Sequence, residues 1–134
     1  MRLEITRRAD LAVRAMVILG SSEHRLKAPT LARQLGTTAG FVPQIVGPLV
    51  KAGWVRSDPG PTGGYTSRIA LGDVSVLEVI EVIEGVTEVG RCVVGDHPCD
   101  RDPSVCSLHV AWGRARRELV GALDATSLAD IAAG

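Results

Sequence analysis

No stretch of this sequence approaches the roughly 18 uninterrupted apolar residues that a membrane-spanning helix requires. The amino terminus also lacks the apolar core of a signal peptide, so a cytoplasmic protein is expected. Net charge is absent too, with 15 Lys and Arg against 15 Asp and Glu, which on its face argues against a nucleic-acid partner. Cysteine is sparse and odd in number, at three. In a compartment that keeps thiols reduced, such a set points to metal binding or redox chemistry rather than to a disulfide framework. No Asp or Asn is evidently placed to orient a Cys–His pair, and so short a chain gives no argument for a substrate pocket. An enzyme is therefore not expected.

What is present is a chain of 134 residues, 46% hydrophobic, enough for one compact domain with a core and too little for two independent ones. The zero net charge conceals a split. From Met1 to Arg56, nine Lys and Arg stand against three Asp and Glu, a balance of +6; from Ser57 onwards six stand against twelve, a balance of −6. The asymmetry suggests a basic face for phosphate on the first part, although charges that only keep a surface solvated read the same way.

Hydrophobic spacing organises the chain. From Thr6 to Gly20, Leu11, Ala15, Ile18 and Leu19 recur on one face of a helix, with Thr6 as cap and Gly20 as stop. Pro29 to Leu35 reads as a short second helix ended by Gly36, and Thr37 and Thr38 offer caps for a third from Ala39 to Ala52. This is the helix-turn-helix pattern. Trp54 to Arg56 and Tyr65 to Leu71 read as strands flanking a turn rich in Pro and Gly, Asp58 to Gly64, which makes a wing. From Val74 to Glu84 only Glu78, Glu81 and Glu84 interrupt an apolar helix, which must be covered on two sides. A last helix, from about Ser107 to Leu123, carries a seam of Leu108, Trp112, Ala115, Leu119 and Leu123 suited to packing against a second chain. The expected fold is mostly α with a small β-wing. A winged helix-turn-helix DNA-binding domain, 1-72, precedes a dimerisation region, 73-134, with a long C-terminal dimerisation helix and a cysteine loop at 90-107.

In that loop Cys92, Cys99 and Cys106 are separated by six residues each, and His109 follows the last by three. Thiolates are preferred iron–sulfur ligands, and an irregular loop lets three converge on one inorganic core. Zinc usually takes ligand pairs two to four residues apart, so the wider spacing disfavours it, although three Cys and His109 still make a zinc donor set. Free thiols acting as an oxidation switch are the other alternative.

The opening MRLEITRRADLAVRAM, the stretch LARQLGTTAGFVPQIVGPLVKAGWVRS, the wing GPTGGY and the three-cysteine loop resemble the IscR/NsrR family of iron–sulfur transcription regulators. The resemblance covers nearly the whole chain. It implies a homodimer that binds palindromic double-stranded DNA, with a cluster whose state responds to nitric oxide or an oxidant. Cys92, Cys99 and Cys106 match the cluster cysteines. His109 matches the histidine of the [2Fe-2S] type, and Asp10 matches the aspartate that reaches the partner chain's [4Fe-4S] cluster, the type we favour. The cysteine intervals are one residue longer than the commoner five. Pro43 stands where the [2Fe-2S] type has an acidic residue, and Pro59 stands where a basic residue often precedes the wing's Gly-Pro.

The amino-terminal part of the third helix is expected in the major groove. Thr38, Gly40, Phe41 and Gln44 are its candidate contacts, Gln44 being able to pair with adenine through two hydrogen bonds. Phe41 serves equally as a core aromatic. Arg2, Arg33, Lys51 and Arg56 are candidate phosphate ligands, and Gly60, Thr62, Gly63 and Gly64 are candidates for close approach of the wing to the DNA backbone. Pro48 is expected to kink the helix.

Overall fold

The computed structural model of the chain describes residues 1–87, 92–94 and 107–134. Helix α1, Arg7–Gly20, begins where the Thr6 hydroxyl accepts from the Ala9 amide at 3.1 Å. Its apolar face, including Leu11, Ala15, Met16 and Leu19, is fully or almost fully buried. Helix α2, Ala28–Leu35, has Pro29 in its first turn, where a missing N–H costs nothing. It ends at Gly36, whose φ of +71° is left-handed and easy only for glycine.

Helix α3, Val42–Lys51, starts three residues later than the sequence suggests, and neither Thr37 nor Thr38 caps it with a side chain. The reason is Pro43. A helix begun at Ala39 needs the amide of residue 43 for the Ala39 carbonyl, and proline has none. The Ala39 carbonyl instead accepts from Val42, and that of Thr38 from Phe41, in tight turns. The helix continues through Pro48 to Lys51.

Strands β1, Val55–Asp58, and β2, Gly64–Ser67, pair antiparallel from Val55 opposite Ser67 to Asp58 opposite Gly64. The return strand is shorter than expected, because the Ser67 hydroxyl bonds both backbone groups of Ile69 and Leu71–Asp73 turns into a short 3-10 helix. Leu26 pairs with β2 from outside the hairpin, exchanging two backbone hydrogen bonds with Tyr65 at 3.1 and 2.8 Å.

Helix α4, Val76–Glu84, opens with a reciprocal cap: the Ser75 hydroxyl accepts from the Glu78 amide and the Glu78 carboxylate from the Ser75 amide. Helix α5, His109–Ala125, is followed by an unanticipated helix α6, Leu128–Ala133, capped in the same way by Ser127 and Asp130. The two caps lie side by side, since Val76 donates to the Thr126 carbonyl and Leu128 to that of Val74, both at 2.9 Å.

One core joins these parts. Leu11, Met16, Leu31, Leu35, Ile45, Leu49, Val79 and Leu128 are all fully buried. Helix α1 is its hub, packing against α2, α3, α4, α6 and β2. Helix α4 is covered by α1 and α3 on one side and by α5 on another, as its apolar girth requires. Helix α5 differs: it buries no residue, and Leu108, Val110 and Leu119 stay exposed.

Candidate nucleic-acid interface and cysteine loop

Burial decides which side of α3 faces outward. Val42, Ile45, Val46 and Leu49 point into the core, leaving Pro43, Gln44, Gly47 and Lys51 exposed. Thr38 and Gly40 are exposed in the turn before α3, whereas Phe41 is half-buried and packs against the core. Gln44 is therefore the long polar group of a nearly bare surface, with Gly40 a turn before it and Gly47 a turn after.

Gly47 is not demanded by packing, because a Cβ added there meets nothing within 4 Å. Glycine inside a helix is about 0.5–1 kcal/mol less stable than alanine. Gly47→Ala is therefore expected to raise the melting temperature by a few degrees while weakening DNA binding, as thermal melts and gel shifts would report. A higher melting temperature with unchanged DNA affinity would remove this side of α3 from the contact.

The wing is shaped by close backbone approach. A Cβ on Gly63 would lie 2.0 Å from the Asp58 carbonyl oxygen and 2.6 Å from that of Pro59, so no side chain fits. Gly63 is buried, Gly64 is half-buried, and Gly60 and Thr62 are exposed at the tip. Arg56 on β1 is exposed, and its Nε lies 3.1 Å from Asp58 Oδ1. Among the described residues none donates a hydrogen bond to Asp58 Oδ2; the Nε of Arg25 is 4.0 Å away.

The other candidate cations are spread out. Arg33 is exposed on α2 near the Thr30 hydroxyl, and Lys51 is the exposed last residue of α3. Arg2 precedes α1, pairs with Glu4 at 3.7 Å, and lines an open groove with Asp10, Leu119 and Leu123.

Cysteine-loop candidates are described in part. Cys92 is half-buried, and its Sγ accepts from the Val94 amide at 3.4 Å; Cys99 and Cys106 lie outside the described residues. His109 is the first residue of α5. Asp10 sits in the first turn of α1 beside Leu119, ten residues beyond His109 on α5. At 1.5 Å per residue that is about 15 Å along the helix, so within one chain Asp10 and His109 face different stretches of α5. Among the described residues, no group of three or more His, Cys, Asp or Glu side chains is arranged to hold a metal ion.

Sequence reasoning missed three cations. Arg25 and Lys27 reach the wing tip only because Leu26 pairs with Tyr65, a long-range contact without a local signal. Arg8 is different. A cation in the first turn of a helix opposes the macrodipole, an oddity visible in the sequence. Its Nη2 donates to the Ile83 carbonyl at 2.9 Å, at the carboxyl end of α4, where the dipole favours it.

A family model, Rrf2, described as an iron-dependent transcriptional regulator, matches residues 5–134. The chain belongs to the Rrf2 family. The IscR transcriptional regulator of Klebsiella pneumoniae is 28% identical over 131 residues, covering 96% of this Rrf2 chain and 79% of the relative. Among solved structures, CymR, the global cysteine regulator of B. subtilis, superimposes with a TM-score of 0.79 at 25% identity, covering 98% of each chain. IscR of T. potens does so with a TM-score of 0.70 at 25% identity, covering 96% of this chain and 85% of its own. Family and fold together make the chain a winged-helix transcriptional regulator and not an enzyme. No helix among the described residues is long and apolar enough to cross a membrane.

Proposed function

We propose that this Rrf2 protein is a cytoplasmic, homodimeric repressor that binds a palindromic operator through α3 and the wing, with an iron–sulfur cluster on Cys92, Cys99 and Cys106 setting its grip. The observation that carries the reading is the three-cysteine segment between α4 and α5. It lies in a chain matched over residues 5–134 by a model described as iron-dependent. Residues 1-72 serve DNA, and residues 73-134 serve dimerisation and the cluster.

The donor set suits such a group. Thiolates are its preferred ligands, and the Val94 amide aimed at Cys92 Sγ is the kind of hydrogen bond that tunes a ligated sulfur. When bound, a cluster with one oxygen ligand supplies an iron open to nitric oxide or oxygen. We assign that ligand to the partner's Asp10 in a [4Fe-4S] cluster; the separation of Asp10 from His109 along α5 supports delivery from a second chain. The exposed Leu108, Val110 and Leu119 of α5 support a dimer built on that helix.

The chain's own contacts carry a change in the loop to the DNA-binding surface. Arg8 holds the Ile83 carbonyl, and the Thr6 amide donates to the Glu84 carboxylate at 3.4 Å, so the end of α4 is clasped to α1. Helix α1 packs in turn against α3 and β2. A shift after Glu84 therefore alters how the two recognition helices are spaced, on which matching a palindrome depends.

The three thiols themselves allow one second reading, a cluster-free regulator gated by their oxidation. Anaerobic purification with iron, sulfide and absorption measurements, before and after nitric oxide, separates the two. The iron and sulfide of a [4Fe-4S] cluster per chain, bleached by nitric oxide, is the expected result. A [2Fe-2S] content transfers the fourth ligand to His109, and a colourless protein without iron overturns the cluster, leaving thiol oxidation or zinc. Cys99→Ala is expected to lose iron and the nitric-oxide response of DNA binding together; a normal response in that variant contradicts the proposal.

A further inference from the structure

The wing is held from outside its own hairpin, and the groups that hold it are cations. Arg25 Nη1 donates to the Thr62 carbonyl at 2.8 Å, and Lys27 Nζ donates to the carbonyl of Pro61. These donors precede the carbonyls they hold by 37 and 34 residues. Leu26 lies between them and pairs with Tyr65, which fixes the segment as extended backbone against β2. Residues 25 and 27 of such a segment project to the same side, here the side of the wing tip. Arg56 joins them from β1: it and Arg25 flank Asp58, the single carboxylate of the wing, and Lys27 lines the same groove as that residue.

A neutral donor can also hold a carbonyl, so wing support alone does not require three charges at this place. Neither bond exhausts its donor: a guanidinium has five N–H groups and an ammonium three. The side chain of Arg25 remains 51% exposed and that of Arg56 65%. Three neighbouring cations repel one another, and an anion lying among them relieves that repulsion. Their side chains are already ordered by the carbonyls and by Asp58, so little rotamer freedom remains to be lost when the anion arrives.

We infer that Arg25 and Lys27 are DNA-backbone ligands, which with Arg56 grip phosphates beside the wing tip as one preformed unit. The inference rests on the DNA-binding reading and deepens it: the positive charge missing at Pro59 is supplied from the segment before α2. Neither residue carries information about base sequence, because phosphate contacts position a protein without reading bases.

The test is the salt dependence of binding to a short duplex of mixed sequence, followed by fluorescence anisotropy between about 50 and 200 mM salt. Arg25→Gln, Lys27→Gln and the double variant are compared with the wild-type chain. Glutamine removes the charge and keeps an N–H donor on a shorter side chain, so the melting temperature reports separately any wing support that is lost. Each single change is expected to reduce the slope of log affinity against log salt by about 0.9 and the double change by about twice that. The loss of affinity is expected to be equal on unrelated sequences, with the melting temperature unchanged. Slopes equal to wild type overturn the inference and leave the regulator reading intact, as does a loss of sequence discrimination at unchanged slope, which marks wing support alone. A wild-type chain that binds no duplex even at low salt overturns both.

Discussion

Gly63→Ala is expected to cost the protein at least about tenfold in DNA affinity, equivalent to about 1.4 kcal/mol, and more thermal stability than Gly60→Ala, the loss being confined to the wing. The methyl group has nowhere to go, since its position lies 2.0 Å from one backbone carbonyl oxygen and 2.6 Å from a second. Backbone atoms cannot rotate aside as a side chain does, so the turn must open. Opening it breaks the bond from the Gly63 amide to the Gly60 carbonyl, at 3.0 Å, and displaces the Thr62 and Pro61 carbonyls from Arg25 and Lys27. The core is spared because only Val55, of the two strands, is part of its buried set. Gly60→Ala is the control. Its added Cβ meets nothing within 4 Å, and only its φ of +89° is unfavourable, a strain of about 1 kcal/mol. Gel shifts and thermal melts on both variants check the contrast, and normal DNA binding by Gly63→Ala would show that the closed turn is not the bound form.

The largest expected stability loss comes from the hub of the core. Leu11 on α1 is 0% exposed, and the buried face of α1 packs against α2, α3, α4, α6 and β2, so little can collapse into the space that Leu11→Ala leaves. Buried leucine-to-alanine changes cost about 2–5 kcal/mol, against a total of about 5–15 kcal/mol for a domain. A fall in melting temperature on the order of 10 °C is expected, readable by circular dichroism at matched protein concentration. A fall of only one or two degrees would mean that α1 is less tightly enclosed than its burial indicates.

The elements legible in the sequence are those that end on local chemistry. Thr6 caps α1, Pro29 and Gly36 bracket α2, and the Pro- and Gly-rich run from Asp58 to Gly64 makes the wing turn. The start of α3 follows not from the threonines before it but from the amide that Pro43 withholds. Helix α6 has a local signal too, since Ser127 and Asp130 repeat the spacing by which Ser75 and Glu78 open α4. The apolar seam of α5 shows the limit of periodicity: it identifies Leu119 and Leu123 as one face, but only packing separates Leu123, half-buried against the core, from Leu119, which is left exposed. In the candidate site, Gln44 was readable from its place in the helix-turn-helix. Arg25 and Lys27 were not, because their place beside the wing depends on a pairing between residues 26 and 65.

The position of Leu128 bears on how the protein is made. The helix-turn-helix and wing leave the ribosome before α6, yet the core beneath them keeps an open seat until Leu128 arrives, where it is 0% exposed and tied to Val74 through its amide. Domains generally fold as units during synthesis, and this unit closes only near residue 128. A nascent chain that already displays α3 and the wing therefore lacks its finished core, so a DNA-binding surface on a stalled or shortened chain is a poorly supported one, exposed to proteases before it can occupy a promoter.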